Sequence, residues 1–285
     1  YSYLSLAALA GFAVLLARRT KLPAPLAPFA AVCATMVWFS AAGMLGVLAA
    51  AGWLYFALAA AAWALAVWPA GAKQPAALKA PGFAAFFVLA AALLAFFAWR
   101  QPMFSTWDEF SFWGTAAKIV KTSGELYVNA DIGWAWVGTH RPALVVLGWF
   151  FQFFGDYAEW RVLAGYDILL LSIFAALTAG CEKGRPRQWV PALGFGFLLP
   201  FVITLYGSVA RPTDLYASAL SDIPLGLTFG GALAAYYINE KKALWPSALA
   251  LAALCLEKDT GFALALVAAG LIAADGAFAL LLEKA

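Results

Sequence analysis

Long apolar runs separated by short clusters of charge divide the chain. Runs over residues 2–17, 26–46, 50–70, 82–99, 157–180, 189–206, 222–238, 243–257 and 260–281 are apolar on every face and predict nine membrane-spanning helices. From Leu22 to Ala72 there is no charged residue, which leaves room for two spans of about 20 residues each. A tenth apolar segment, Pro142 to Gly155, is short for a crossing and predicts a juxtamembrane helix resting on the outer surface. A β-barrel would alternate apolar and polar residues with period two, and these runs do not. The expected fold is therefore all-α, a polytopic transmembrane helical bundle. Residues 1–100 form an N-terminal four-helix segment, 101–156 an outer loop with juxtamembrane helices, and 157–285 the rest of the bundle.

Composition agrees with lipid as solvent. Of 285 residues 65% are hydrophobic and only 12% charged, about half the charged share of a soluble domain, and the mean hydropathy is +0.84. The three cysteines, Cys33, Cys181 and Cys255, lie in or beside apolar runs without a CxxC spacing, so they read as small buried hydrophobes. No secretory cleavage pattern follows the first run. The chain starts at Tyr1 and stops after an apolar run, which reads as a fragment with a truncated C-terminus. Its alanine-rich composition points to a bacterial inner membrane.

The basic residues set an orientation. Arg18, Arg19 and Lys21, then Lys73 and Lys79, Lys183, Arg185 and Arg187, and Lys241 and Lys242 form four clusters that the positive-inside rule assigns to the cytoplasm. Residues 100–141, 207–221 and the step at Glu257-Lys258-Asp259 then fall on the outer face. Three polar segments distant along the chain thus converge at one surface.

Trp107-Asp108-Glu109-Phe110-Ser111-Phe112-Trp113 is the first of them. Thr106 to Glu109 fits a capping box, with Glu109 reaching back to Thr106. The flanking aromatics are also expected to surround the pair with apolar groups, which raises a carboxylate's pKa toward the range useful for a general base. His140-Arg141-Pro142 ends the outer loop; His140 is the sole histidine, and Arg141 lies where an anionic headgroup would sit. Arg211 and Asp214 read either as ligand-binding or as solvated loop charges. Asp222 reads either as a sugar contact or as a helix cap. Glu257, Lys258 and Asp259 are charges at or just below the interface, where such groups usually face a polar cavity and a lysine reads as an anion ligand. Asp167, deep in the helix from 157, is expected to pair with Arg161.

At these residues the chain resembles the GT-C superfamily of polyprenyl-phosphate-sugar-dependent glycosyltransferases, including protein O-mannosyltransferases and lipid A aminoarabinose transferases. The matching pieces are Asp108-Glu109, His140-Arg141-Pro142-Ala143-Leu144, Glu159-Trp160-Arg161, Ser221-Asp222-Ile223-Pro224 and Glu257-Lys258-Asp259-Thr260-Gly261, over about residues 105–270. The resemblance implies an enzyme moving a sugar from a polyprenyl-phosphate donor to a lipid, glycan or protein acceptor on the periplasmic side. It makes Asp108 the base, with Glu109 positioning Asp108 or the acceptor. Lys258, with Arg141, Arg211 or His140, would hold the phosphate; Asp222 would meet the sugar or orient a cation, and Glu257 belongs to the same binding set. Two departures stand out: four spans precede the acidic pair here, and Ala143 replaces the second proline of the family's Pro-Pro motif. No cofactor is specified; carboxylates for a divalent metal are present, but no spacing selects one. Nucleic acid is not an expected partner. The competing reading is a transporter or lipid flippase without glycosyl-transfer chemistry; a scaffold subunit is a third.

Overall fold

A computed structural model describes residues 1–68, 80–129, 140–181, 216–238 and 243–284, with isolated positions between 185 and 194. Among the described residues every regular element is helical and no strand occurs. The helices are α1 (Ser2–Arg19), α2 (Ala27–Met44), α3 (Leu48–Val67), α4 (Pro81–Arg100), α5 (Gly114–Ser123), α6 (Ala143–Phe151), α7 (Glu159–Ala176), α8 (Asp222–Ile238), α9 (Trp245–Cys255) and α10 (Asp259–Lys284). A 3-10 turn at Ala24–Leu26 leads into α2, and a π-helical turn at Glu109–Trp113 leads into α5.

Among the described residues, five helices are long and apolar enough to cross a membrane: α1, α2 with its preceding turn, α3, α4 and α10. Helices stand at eight of the nine predicted span positions; the ninth, 189–206, lies almost wholly outside the described residues. Three of the eight depart from a simple span. At 17 and 11 residues, α8 and α9 fall short of about 20. In α7, Glu159, Arg161 and Asp167 sit on a central helix that is buried from Val162 to Ala176. The outermost helices instead present apolar side chains outward. Only 11% of the apolar window of α10 is buried, with Phe262, Leu266, Leu271 and Phe278 exposed, as suits contact with lipid.

Local chemistry ends several helices. Past α4, Gln101 takes a left-handed conformation (φ 47°) before Pro102, which cannot continue a helix. Gly124 (φ 76°) ends α5 in the same way. Arg19 at the end of α1 donates from Nη2 to the carbonyls of Leu65 and Trp68 (2.6 and 3.1 Å), satisfying acceptors left open at the end of α3.

The segment expected to lie on the outer surface does not. α6 is nine residues long, about 14 Å, and every one of them is buried against α2, α5 and α7. Its polar ends are met by the protein. Ala143 N–H donates to Leu256 O (2.8 Å), while Ser5 Oγ and Ser2 Oγ donate to Phe150 O and Phe151 O, both at 2.7 Å. A helix that is apolar all round is stable as a core element when its end groups are satisfied. Close approach to α7 depends on glycine: a Cβ at Gly165 would stand 3.1 Å from the Gly148 backbone.

Candidate functional site

The polar segments meet at one end of the bundle, and carboxylates that accept backbone amides hold them there. In the loop after α4, Glu159 Oε2 accepts Phe104 N–H (2.7 Å), and Glu109 Oε2 accepts Ser105 and Thr106 N–H (2.7 and 2.9 Å). Glu109 is therefore the reaching-back half of the capping box; the Thr106 hydroxyl does not complete the other half, for its Oγ1 is buried with no hydrogen-bond partner among the described residues. The other oxygen of Glu109, Oε1, accepts Ala219 N–H (2.7 Å), a donor 110 positions away. Asp167 Oδ2 accepts Ala217 N–H (3.0 Å). Two buried acids from separate elements thus grip alternate amides of the segment leading to Asp222.

This corrects two expectations. Asp167 does not pair with Arg161, whose Nη1 donates to Asp156 O (2.7 Å) and whose Nε is buried with no hydrogen-bond partner among the described residues. The aromatic residues do not enclose Asp108: Trp107 is 80% exposed, Phe110 54%, and Asp108 itself is exposed. The reason is helical geometry. Glu109 and Trp113, one turn apart, share the inward face, which leaves Trp107, Asp108 and Phe110 outward. Among the described residues Asp108 is a carboxylate at the surface and Glu109 one in the core.

The cations come from the neighbouring turns. Lys258 Nζ, in the turn between α9 and α10, is paired with Asp222 Oδ1 at the start of α8. Arg141 Nε is paired with Asp259 Oδ1 at 2.8 Å. Both pairs are partly exposed, so an anionic ligand can compete for the cations without unfolding anything. Gly261 makes the turn compact: a Cβ there would stand 2.0 Å from Leu254 O. His140 packs its ring against Phe112 and Trp113 (centroids 4.6 and 5.1 Å apart), and its carbonyl accepts the Tyr127 hydroxyl. Burial pushes that phenol above its ordinary pKa, so it serves as a neutral donor.

The two turns carrying Asp108 and Lys258 therefore share one end of the bundle, joined through Glu109, Ala219 and Asp222. Glu257, next to Lys258 in the chain, is not part of this exposed set. It is fully buried, and neither carboxylate oxygen has a hydrogen-bond partner among the described residues. Arg211 and Asp214 lie outside the described residues. Below the strap at 216–217, an apolar groove of about 400 Å³ runs between α4 and α7, lined by Leu89, Leu93, Phe96, Phe97 and Leu171 with Tyr216 and Ala217. No group of three or more potential metal ligands occurs among the described residues.

The amide clamps at Glu159 and Asp167 escaped sequence reading because their partners are backbone N–H groups, which no residue type betrays. Tyr127 likewise carried no local signal. The chain matches no family model, no curated protein and no solved structure.

Proposed function

We propose that the protein is a membrane glycosyltransferase that moves a sugar from a polyprenyl-phosphate donor to an acceptor hydroxyl at the extracytoplasmic surface, in the manner of the GT-C enzymes it resembles. The observation that carries this reading is the meeting, at one end of an apolar bundle, of an exposed carboxylate on a clamped turn with two displaceable cations.

Asp108 acts as the base that takes the proton from the acceptor hydroxyl. Lys258 and Arg141 leave Asp222 and Asp259 to receive the lipid phosphate, and their charge stabilises its departure. The phosphate is a good leaving group, so the site needs no strong general acid. A carboxylate opposite the leaving group permits in-line attack with inversion at the anomeric carbon. The groove between α4 and α7 offers an apolar channel for part of the prenyl chain. His140 and Arg211 belong to the same binding set, and Asp222, once freed, faces the sugar.

A structure with a non-hydrolysable polyprenyl-phosphate analogue bound in lipid nanodiscs tests this. The phosphate is expected on Lys258 and Arg141 with Asp108 facing the anomeric carbon; a phosphate bound at the opposite end of the bundle would refute the reading.

A further inference from the structure

The resemblance leaves Glu109 positioning either Asp108 or the acceptor, and its surroundings decide between the two. We propose that Glu109 is a positioning residue: its carboxylate is a clasp that fixes the Asp108 turn against the strap carrying Asp222, and so sets the distance between the carboxylate at Asp108 and the cation at Lys258. The inference rests on the reading of those two residues as one site.

Three observations support it. Glu109 is 1% exposed, so it does not meet an acceptor at the surface. Both of its oxygens are committed, Oε2 to the amides of Ser105 and Thr106 and Oε1 to that of Ala219. The strap it grips runs two residues further to Ser221, whose carbonyl accepts Leu225 N–H to start α8, and then to Asp222, which holds Lys258. Removing either oxygen unfastens one of the two loops.

Asp167 provides an internal comparison. It grips the same strap at Ala217 through Oδ2; its Oδ1 is buried with no hydrogen-bond partner among the described residues. An amide nitrogen can replace an oxygen that accepts nothing, whereas at Glu109 it would place donor against donor. Asp167→Asn should therefore leave the strap seated, and Glu109→Gln should release one side of the clasp. Chemistry at Glu109 predicts no such difference in structure.

The test uses nitroxide labels at Trp107→Cys and Thr260→Cys, both exposed, in a full-length background lacking Cys33, Cys181 and Cys255 and reconstituted in nanodiscs. Double electron–electron resonance is expected to give one narrow distance distribution for the parent and for Asp167→Asn, and a broadened or shifted one for Glu109→Gln. A distribution in Glu109→Gln as narrow as the parent's overturns the proposal. A role limited to general stability would lower the melting temperature without widening it. Hydrogen exchange on the unsubstituted protein serves if Glu109→Gln does not fold. The amides of Ala217 and Ala219 are expected to be protected; free exchange at Ala219 would equally overturn the clasp. Neither readout involves sugar transfer, so this inference and the catalytic reading of Asp108 fail independently.

Discussion

Arg141 and Asp259 stand 118 positions apart, and the Nε of one donates to the Oδ1 of the other at 2.8 Å. This contact ties the segment entering α6 to the first turn of α10, beside the bond from Ala143 N–H to Leu256 O. The pair is half exposed, which places its worth to stability at about 1 kcal/mol or less. If Arg141 binds phosphate, the pair is instead a store for the cation. Asp259→Asn is then expected to tighten binding of polyprenyl phosphate and Arg141→Ala to weaken it, both with small changes in melting temperature. Titration of the purified variants with the lipid phosphate checks this; equal affinity in both would remove Arg141 from the site.

Gly261 sets the height of the Lys258 turn. The backbone carbonyl of Leu254 occupies the place a Cβ would take, and backbone cannot move aside as a flexible side chain can. Gly261→Ala is expected to destabilise by on the order of 1–3 kcal/mol and to weaken anion binding at Lys258. Gly270→Ala, where nothing lies within 4 Å, is the control and should be neutral or slightly stabilising. Thermal unfolding in nanodiscs distinguishes the two. An unchanged melting temperature in Gly261→Ala would mean that the turn tolerates displacement.

Glu257 gives a pH dependence. It lies in the turn between α9 and α10, and burial pushes its carboxyl up to about 8 from an ordinary 4.5. Because the folded protein keeps a proton that the unfolded chain releases, the group's contribution is fully present below about pH 4.5. It is lost as pH rises through about 8. Glu257→Gln is neutral at every pH and should abolish that loss. Its melting temperature should therefore exceed the parent's increasingly between about pH 5 and pH 8, then by a constant margin. Parallel curves for the two proteins across this range would show that Glu257 does not carry the proton.

Helices at eight of the nine predicted positions were legible because lipid demands long apolar runs, and such runs are visible without neighbours. The capping contact of Glu109 to Thr106 was legible because it spans three residues. The other half of Glu109's role was not, since Ala219 contributes only a backbone amide. Asp167 misled for the same reason: a charge on a central helix invites a charged partner, and Arg161 was the nearest candidate. The position of α6 was misread because length alone separates a crossing helix from a short one. It does not say whether the short one meets lipid or, with Ser2 and Ser5 at its end, the protein core. The exposure of Asp108 depends on which face of the Glu109–Trp113 turn packs inward, and an aromatic-rich sequence does not specify that face.

The central claim is that Asp108 deprotonates the acceptor, and a single substitution addresses it. Sugar transfer from a polyprenyl-phosphate donor should be measured for the parent and for Asp108→Asn, an exposed exchange that leaves the Glu109 clasp and the cation pairs in place. Loss of transfer with lipid-phosphate binding and melting temperature unchanged is the predicted result. Transfer by Asp108→Asn at the parent's rate would contradict it.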